Sequence, residues 1–480
     1  MKKSDIGLVG LAVMGENLVL NMESKGFKVS VYNRTAEVTD KFISGRASGK
    51  NIEGFAALRD FTESLESPRK VMMMVRAGEA VDKIIDQLIP LLSPGDIIID
   101  GGNSYFADSE RRQKYIESKG LLFVGAGVSG GEEGALKGPS IMPGGSFGAW
   151  KHIKPIFTSI AAKAEDGEPC CEWIGRGGSG HFVKMVHNGI EYGDMQLISE
   201  AYYVMKNMVN QSNEEIGDTF EKWNKGPLQS YLVEITSQIM RHKDKSGDYL
   251  VDKILDAAGQ KGTGKWSVNS AMDMGISLNL IATAVFERSL SSRKELRERA
   301  AQKFHRNIDA FSTPSEKEIH DSLYASKLTS YAQGFDLLQS ASKEYSWNLD
   351  FASIARIWRN GCIIRSGFLN KISNAYSSDP DLKALMLSDY FVNEISESLP
   401  QWKSLISKAV LAEVSLPAFS AAINYFYSFT SGKLPANLLQ AQRDFFGAHT
   451  FERVDSPRGV FFHENWTGEG GDTASGVYNV

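Results

Sequence analysis

The first part of the chain, up to about residue 180, alternates between short apolar runs and longer stretches with a helical spacing of apolar positions. The strand-like apolar runs occupy residues 6–9, 29–32, 71–75, 97–99 and 121–124. Stretches with helical periodicity lie between them, for example at 15–25 and 80–91. Strands that alternate with helices pair in parallel, so we predict a parallel, Rossmann-like α/β sheet with helices on both faces.

A glycine cluster at 175–180 ends this pattern, because clustered glycines interrupt regular structure. Few strand signals remain beyond it. Longer helical stretches follow at residues 181–209, 278–289, 315–345 and 393–408. The second part of the chain is therefore predicted to be a large all-helical domain.

The helical part contains a segment that resembles another segment of the same chain. Residues 193–201 are similar to residues 334–341, and a Trp-x-x-Gly sequence follows each, at Trp223 and Trp358. This similarity indicates a duplicated helical unit. Chance likeness between amphipathic helices is the alternative.

The end of the chain, from about residue 456, is rich in Gly, Ser and Thr. It has too few apolar residues for a core of its own, so we expect it to be disordered or bound to another surface. The predicted organisation is a Rossmann-like nucleotide-binding domain at 1–178, an all-helical domain at 179–437 and a C-terminal tail at 438–480.

Composition excludes some classes of function. A chain of 480 residues exceeds what one core usually serves, so two or three domains are expected. The net charge is −5 without a long basic run, which argues against a nucleic-acid partner. No apolar run of about 18 residues predicts a membrane span, and glycines interrupt the apolar stretch at 6–14, which disfavours a secretion signal. Cys170, Cys171 and Cys362 lack disulfide or metal-site spacing, which predicts free thiols in a reducing cytoplasm and no metal site.

Residues 10–15 match the pattern G-x-A-x-x-G between the first predicted strand and the first predicted helix. Gly10 would make the tight turn, and Gly15 would let the helix pack close to the strand. A pyrophosphate would then lie at the helix N-terminus, where free N–H groups and the helix dipole favour negative charge. Ala12 replaces the usual second glycine, so a glycine-rich loop in another α/β protein is the alternative.

The second strand ends in Asn33, Arg34 and Thr35, where an NAD enzyme usually has an acidic residue that binds the ribose 2′-hydroxyl. A carboxylate would repel a 2′-phosphate, whereas the Arg34 guanidinium can donate several hydrogen bonds to one. We therefore predict NADP as the cofactor. The alternative is that Arg34 is an ordinary solvated turn residue.

A polar stripe marks the first helix of the helical domain. Lys184, His187, Asn188 and Glu191 follow the spacing i, i+3, i+4, i+7 and so lie on one helix face, while much of the remaining surface is apolar. An apolar surface needs cover, so the polar stripe is expected to line a cleft. A solvated helix face is the alternative. An acid and a base two turns apart could reach opposite sides of a small substrate.

Motifs in order along essentially the whole chain resemble the 6-phosphogluconate dehydrogenase family, within the β-hydroxyacid dehydrogenase superfamily. The matching stretches are residues 10–15, 33–35, 100–104, 128–132, 184–192, 259–266 and 443–450. One departure is Arg76, where a lysine is common in the family; the positive charge is kept.

The resemblance implies oxidation and decarboxylation of 6-phosphogluconate to ribulose 5-phosphate and CO₂ with reduction of NADP⁺, a step of the pentose phosphate pathway. Lys184 would accept the proton of the 3-hydroxyl as hydride leaves C3. Glu191 would protonate C1 of the enediol that remains after CO₂ is lost. The resemblance also implies a homodimer with shared active sites, in which Arg443 and His449 complete the site of the partner subunit.

The resemblance also implies which residues bind the substrate and the cofactor. The substrate phosphate would be bound by Tyr192, Lys261, Thr263, Arg288 and Arg443, with His449 nearby. The implied substrate-binding residues are Asn103, Ser129, Gly130, Gly131, His187, Asn188, Tyr192, Lys261, Thr263, Arg288, Arg443 and His449. The implied cofactor-binding residues are Gly10, Leu11, Ala12, Val13, Met14, Gly15, Asn33, Arg34, Thr35, Val75, Arg76, Ala77 and Asn103.

Two other functions are weighed against this one. Another β-hydroxyacid dehydrogenase, such as one acting on hydroxyisobutyrate, would share the first domain and the lysine but would be much shorter. A catalytically silent NADP-binding regulator would keep the nucleotide loop but would have no need of both Lys184 and Glu191.

Overall fold

The computed structural model describes residues 2–260, 262–304 and 313–470. The chain divides into two compact units, with the division between Ala422 and Ile423. The first unit holds a seven-stranded sheet and most of the helices, and the second holds the end of the chain. Among the described helices, none combines the length and the apolar character needed to cross a membrane.

The sheet is built from the first part of the chain. Its strands are β1 (Ile6–Val9), β2 (Val29–Tyr32), β3 (Ile52–Phe55), β4 (Lys70–Met73), β5 (Ile97–Asp100), β6 (Leu122–Val128) and β7 (Ile141–Gly145). They lie in the order β3-β2-β1-β4-β5-β6-β7, and every neighbouring pair is parallel except β6 and β7. Strands β2 and β3 lie on one side of β1, and β4 to β7 lie on its other side. The strand order therefore changes direction between β1 and β4, which is where such sheets bind nucleotides.

Helices cover both faces of this sheet. They are α1 (Val13–Ser24), α2 (Ala36–Ser44), α3 (Leu58–Glu63), α4 (Glu79–Leu88), α5 (Phe106–Glu117), α6 (Gly131–Lys137) and α7 (Phe147–Ile160). On one face, Ile97 and Ile99 of β5 belong to the same core as Trp150 of α7. On the other face, Ile98 belongs to a core that includes Ile85 of α4. Burial on both faces explains why the central strands are continuous apolar runs.

The rest of the first unit is helical, and the last of its helices crosses the division and ends in the second unit. The helices that follow are α8 (Ser179–Asn207), α9 (Asn213–Trp223), α10 (Tyr231–Arg241), α11 (Thr263–Asp273), α12 (Asn279–Ser291), α13 (Lys294–Phe304), α14 (Glu316–Glu344), α15 (Phe351–Ile357), α16 (Leu369–Ser378), α17 (Asp389–Leu411) and α18 (Pro417–Phe429). The two segments of similar sequence lie on α8 and α14, each of which is 29 residues long. A Cβ at Gly193 would lie 2.5 Å from Ser330 Oγ, and one at Gly334 would lie 2.6 Å from Ile190 Cδ1, so each glycine lets the two helices pack closely. Their origin by duplication stays a prediction.

The second unit contains α19 (Ala436–Gly447) and a short antiparallel pair, β8 (Phe451–Glu452) with β9 (Phe461–Phe462). Its centre is Asp444, which is fully buried. The Asp444 carboxylate accepts hydrogen bonds from the Thr450 N–H at 2.9 Å, the Glu464 N–H at 3.0 Å, His463 Nδ1 at 2.9 Å and Trp466 Nε1 at 2.9 Å. Residues 463–466 are therefore held by Asp444. Binding of the end of the chain to another surface stays a prediction, and residues 471–480 lie outside the described residues.

The predicted class, a parallel α/β sheet followed by helices and a tail, is confirmed. The five predicted strands correspond to β1, β2, β4, β5 and β6, and the four long helical stretches correspond to α8, α12, α14 and α17. Strands β3 and β7 were not predicted, and β7 makes the sheet mixed rather than wholly parallel. The three cysteines are free, as predicted, and all three are buried.

Candidate active site

The candidate site lies along one edge of the sheet, where the parallel strands end. Loops after these strands carry Gly10 (β1), Asn33 (β2), Val75 (β4), Asn103 (β5) and Ser129 (β6). Because the carboxyl ends of parallel strands meet at the same edge, the topology alone brings together residues that are far apart in sequence.

The first loop is shaped for a close backbone approach. Gly10 has φ +104°, and a Cβ there would lie 2.5 Å from the Met74 carbonyl oxygen. A Cβ at Gly15 would lie 2.0 Å from the Gly10 carbonyl oxygen, so only glycine lets α1 begin this close to the strand. Ala12 precedes α1 and makes no side-chain capping bond, so the first-turn N–H groups remain available to an anion.

The loop after β2 contacts this turn. Asn33 Oδ1 accepts a hydrogen bond from the Leu11 N–H at 3.2 Å, and Asn33 Nδ2 donates to the Thr35 carbonyl at 3.1 Å. The next residue, Arg34, is exposed, and within the described ranges its guanidinium has no hydrogen-bond or ion-pair partner. A free guanidinium beside a dinucleotide loop suits a 2′-phosphate.

The remaining residues of the implied nucleotide set differ in exposure. Leu11 is buried beneath the loop, whereas Val13 is about half exposed on the first turn of α1 and Met14 is half-buried. In the loop after β4, Val75 and Ala77 are half-buried and Arg76 is exposed. The structure thus presents a surface with both apolar and polar groups, and its polar groups include the backbone N–H groups of the first turn of α1 and the side chains of Arg34 and Arg76.

Helix α8 begins directly on the sheet. A Cβ at Gly127 of β6 would lie 2.4 Å from Lys184 Cβ, and a Cβ at Gly180 would lie 2.4 Å from the carbonyl oxygens of Gly125 and Met142. Larger residues at either position would push the helix away from the strands. The closeness of β6 and α8 places Lys184 beside the loop that follows β6.

Lys184, His187 and Asn188 of the polar stripe are buried, which excludes the alternative of a solvated helix face. Lys184 Nζ donates to Ser129 Oγ at 3.1 Å and to Asn188 Oδ1 at 2.7 Å. His187 Nδ1 lies 3.3 Å from the same ammonium nitrogen, and His187 Nε2 lies 3.1 Å from Ser129 Oγ. Four predicted residues therefore form one hydrogen-bonded cluster between α8 and the loop after β6.

Burial sets the protonation of this cluster. It lowers the pKa of Lys184, against the opposing effect of the Glu191 carboxylate. Burial, together with the positive charge of Lys184, holds the pKa of His187 well below its ordinary value, so this imidazole is neutral. The arrangement favours a lysine that loses its proton more readily than an exposed one does.

Glu191 lies two turns after Lys184 on the same face. Its side chain keeps 24% of its surface exposed, and its Oε2 lies 3.9 Å from His187 Nδ1. Burial raises the pKa of Glu191, although the positive charges of Lys184 and Arg288 oppose the shift. A carboxyl group of this kind can hold a proton and deliver it, which is the complement of a lysine with a lowered pKa.

A small cavity adjoins Lys184. It is lined by Asn103, Ser104, His181, Lys184, Met185, Asn188, Thr263 and Trp266. Four of these were predicted site residues, and they come from the sheet loops, α8 and α11. Of those that were missed, His181 lies one turn before Lys184, so extending the polar stripe by three residues would have found it.

The loop after β6 is bent by glycine. Gly130 has φ +108°, and a Cβ there would lie 2.6 Å from the Gly361 carbonyl oxygen. Gly131 has φ +62° and begins α6. The bend leaves Ser129 buried against His187 and Lys184, with the Gly130 and Gly131 backbone beside it.

Three of the residues implied for the phosphate lie together. The Arg288 guanidinium stacks over the Tyr192 ring, 3.5 Å from its centroid. A Cβ at Gly264 would lie 2.7 Å from that ring, so the start of α11, with Thr263 as its first residue, is close by. An arginine beside a helix N-terminus is a favourable site for a phosphate. Lys261 lies outside the described residues.

The other two implied residues belong to the second unit. Arg443 Nη1 donates to Gln440 Oε1 at 2.8 Å within α19. His449 lies beyond the end of that helix, with its ring 5.9 Å from the Phe446 ring. Between them, Asp444 anchors the following segment, so one short stretch holds both residues at the surface of the second unit.

A dinucleotide loop at the turning point of a parallel sheet, next to a buried lysine and a carboxyl group on one helix face, defines a nicotinamide-nucleotide-dependent dehydrogenase. Residues 5–175 match the model of the NAD binding domain of 6-phosphogluconate dehydrogenase, and residues 180–466 match that of its C-terminal domain. The chain belongs to the 6-phosphogluconate dehydrogenase family.

Relatives of this family resemble the chain over its full length. It is 53% identical to the decarboxylating 6-phosphogluconate dehydrogenase of Treponema pallidum, with 99% of this chain and 100% of the relative covered. It is 50% identical to that of Mus musculus, with complete coverage of both. A solved 6-phosphogluconate dehydrogenase of Plasmodium falciparum superposes with a TM-score of 0.93 at 45% identity, covering 96% of this chain and 100% of that one. That protein was studied with NADP⁺ and with 6-phosphogluconate.

Proposed function

We propose that this chain oxidises and decarboxylates 6-phosphogluconate to ribulose 5-phosphate and CO₂ while NADP⁺ is reduced to NADPH. The observation that carries the proposal is the pairing of buried Lys184 with Glu191, two turns apart on one face of α8. Opposite shifts of the two pKa values suit the lysine to accept a proton and the carboxyl group to give one.

The residues along the sheet edge fit NADP. The first turn of α1 would hold the pyrophosphate, the exposed Arg34 guanidinium would hold the 2′-phosphate, and the half-buried loop with Val75 and Ala77 would border the nicotinamide with Asn103. NADP⁺, when bound, supplies the acceptor for the hydride that leaves C3.

Lys184 acts first. In its neutral form it takes the proton of the 3-hydroxyl group, so that C3 becomes a ketone as its hydrogen leaves. The charged ammonium then lies beside the new carbonyl oxygen and stabilises the negative charge that gathers there while the C1–C2 bond breaks and CO₂ departs. Asn188 and Ser129, which already contact Nζ, hold the ammonium in place.

Glu191 completes the reaction. Loss of CO₂, with return of the Lys184 proton to the oxygen on C3, leaves an enediol. The protonated carboxyl group of Glu191 then delivers a proton to the former C2, which becomes C1 of ribulose 5-phosphate, while Lys184 takes the hydroxyl proton back. Neutral His187, Asn188 and the loop at Ser129 to Gly131, together with Asn103, would bind the substrate carboxylate and hydroxyl groups. Tyr192, Thr263 and Arg288, joined by Lys261, would bind its phosphate.

The test separates the two roles. Lys184→Ala should lower NADP⁺ reduction by at least about 100-fold, because a general base is worth about 10²–10⁴-fold. Glu191→Ala should impair tritium exchange into C1 of ribulose 5-phosphate more than it impairs ketone reduction. Near-normal turnover by Lys184→Ala, or no NADPH and CO₂ from the unmodified protein, would refute the proposal.

We further propose a homodimer with shared sites. The domains at 1–178 and 179–437 would bind cofactor and substrate, and the tail from 438 would supply Arg443 and His449 to the partner's site. The second unit exposes Leu438, Leu439 and Phe446, and an apolar surface of this kind supports a protein partner. Free, buried cysteines support a cytoplasmic location.

Hybrid dimers test the sharing of sites. Lys184→Ala and Arg443→Ala proteins, each nearly inactive, are dissociated, mixed one to one and reassociated. If sites are shared, each mixed dimer has one intact site, so random pairing should restore about a quarter of full activity. Lys184→Ala mixed with itself is the control. Activity that stays at the parental level despite demonstrated subunit exchange would contradict the proposal.

A further inference from the structure

His181 is a buried residue of the candidate site to which the proposed reaction gives no role. It lies on the first turn of α8, one turn before Lys184, and lines the same cavity as Asn103 and Lys184. Only 2% of its surface is exposed. Burial lowers the pKa of His181, so the imidazole is neutral and each ring nitrogen has a distinct hydrogen-bonding role.

One ring nitrogen is held by α5. His181 Nδ1 lies 2.6 Å from Ser109 Oγ, and a Cβ at Gly125 of β6 would lie 2.8 Å from the same nitrogen. A serine hydroxyl that donates to Nδ1 leaves the ring proton on Nε2. Among the described residues, Nε2 is buried and has no hydrogen-bond partner. The cavity that His181 lines is also lined by Asn103 and Ser104, so the ring lies next to the loop that carries Asn103.

Helix α5 makes further contacts that converge on the same loop and on α8. Glu110 Oε2 accepts a hydrogen bond from the Gly178 N–H at 2.9 Å, at the start of α8. The fully buried Arg112 donates to Asp100 Oδ2 at 3.3 Å and to Ser104 Oγ at 3.2 Å. One side of α5 thus holds the start of the lysine-bearing helix and both ends of the 100–104 loop.

We propose that His181 is a positioning residue for hydride transfer, which fixes the loop carrying Asn103 against the helix carrying Lys184. This inference rests on the proposed function, because it concerns the placement of the nicotinamide and substrate relative to the base. Hydride transfer depends steeply on geometry, and a displacement of about 1 Å can cost about 100-fold in rate. Binding surfaces formed elsewhere on the chain should be less affected.

The test compares four variants with the unmodified protein in NADP⁺ reduction by 6-phosphogluconate. His181→Phe keeps a ring but loses the hydrogen bond to Ser109, and we expect kcat to fall about 10- to 100-fold while KM for both ligands changes less than about threefold. His181→Asn keeps a group able to meet Ser109 and should recover part of the loss. Ser109→Ala removes only the orienting hydroxyl and should lower kcat by about three- to tenfold. Ser118→Ala, on an exposed serine just after α5, is the matched control and should match the unmodified protein.

An isotope measurement distinguishes positioning from a general structural role. With substrate deuterated at C3, the isotope effect on kcat should increase in His181→Phe, because hydride transfer becomes slow relative to product release. If His181→Phe does not fold, Ser109→Ala carries the same measurement. Unchanged kcat and isotope effect in the folded variants would overturn the inference, as would a rise in KM that accounts for the whole loss. Failure of the unmodified protein to reduce NADP⁺ would instead refute the proposed function.

Discussion

Replacing Asp444 by Asn should loosen the second unit by a measurable amount. The Asp444 carboxylate is fully buried and accepts four hydrogen bonds, from Thr450, His463, Glu464 and Trp466. Its burial opposes ionisation, but the bonds from Glu464, His463 and Trp466 outweigh that effect and lower the pKa of Asp444 to about 2. Asn keeps one acceptor oxygen and loses the charge.

The lowered pKa of Asp444 determines how much stability the second unit should lose in Asp444→Asn. A carboxyl group whose pKa falls by nearly two units contributes about 2 kcal/mol to the stability of the structure that binds it. Because the folded-state pKa is lower than the ordinary value near 3.8, this contribution is complete above about pH 4. It is lost as the pH falls from about 4 through about 2.

Hydrogen exchange of backbone amides in residues 448–470 measures this stability directly. At pH 7, Asp444→Asn should raise exchange there about 30-fold, which corresponds to about 2 kcal/mol. Asp455→Asn removes an exposed partner of Arg453 in the same unit and should have almost no effect. If the two variants exchange alike, Asp444 does not organise this segment, and the reasoning is wrong.

Two further predictions concern the cofactor and the helical core. Arg34→Asp should raise KM for NADP⁺ by about 10- to 100-fold, the equivalent of about 1–3 kcal/mol. Arg59→Asp, a change at an exposed site in the same domain, is the control and should leave this KM unchanged. Equal use of NAD⁺ and NADP⁺ by the unmodified protein would contradict the assignment of Arg34. Burial raises the pKa of Glu200 to about 7, although this carboxyl group accepts N–H bonds from Ala418 and Phe419. Because the pKa of Glu200 is raised in the folded protein, the free energy of unfolding should fall by about 2 kcal/mol as the pH rises from about 5 to about 8. The Tm of the unmodified protein should therefore fall over that interval more than the Tm of Glu200→Gln does. Parallel plots of Tm against pH for the two proteins would exclude this role of Glu200.

The strands that the apolar pattern missed are the two edges of the sheet. β3 contains Glu53 and Gly54, and β7 contains Pro143, Gly144 and Gly145. β3 is only partly buried, so it needs no continuous apolar run. β7 is buried throughout, but a proline and two glycines end its apolar run after two residues. Proline cannot donate to a neighbouring strand and is tolerated at an edge. Local composition therefore identifies the central strands and fails at the margins.

The same contrast holds for the site. Lys184, His187, Asn188 and Glu191 share one helix face, so their spacing alone predicts that they meet, and the structure brings the first three into direct contact. Asp444 gives no such local signal, because its partners lie 6 to 22 residues further along the chain. Which distant donors converge on a carboxylate is decided by tertiary packing, which periodicity does not describe.

The uninterrupted length of α8 has a mechanical consequence. The helix is 29 residues long, or roughly 44 Å at about 1.5 Å per residue, and it is fixed to the sheet at its first turn, where Gly180 meets the strands. A tilt of about 5° about this turn would swing the far end by about 4 Å but would move the Lys184 position, roughly 6 Å from Gly180, by less than about 1 Å. Attachment at the first turn therefore keeps the Lys184 position nearly fixed against small tilts of the helix.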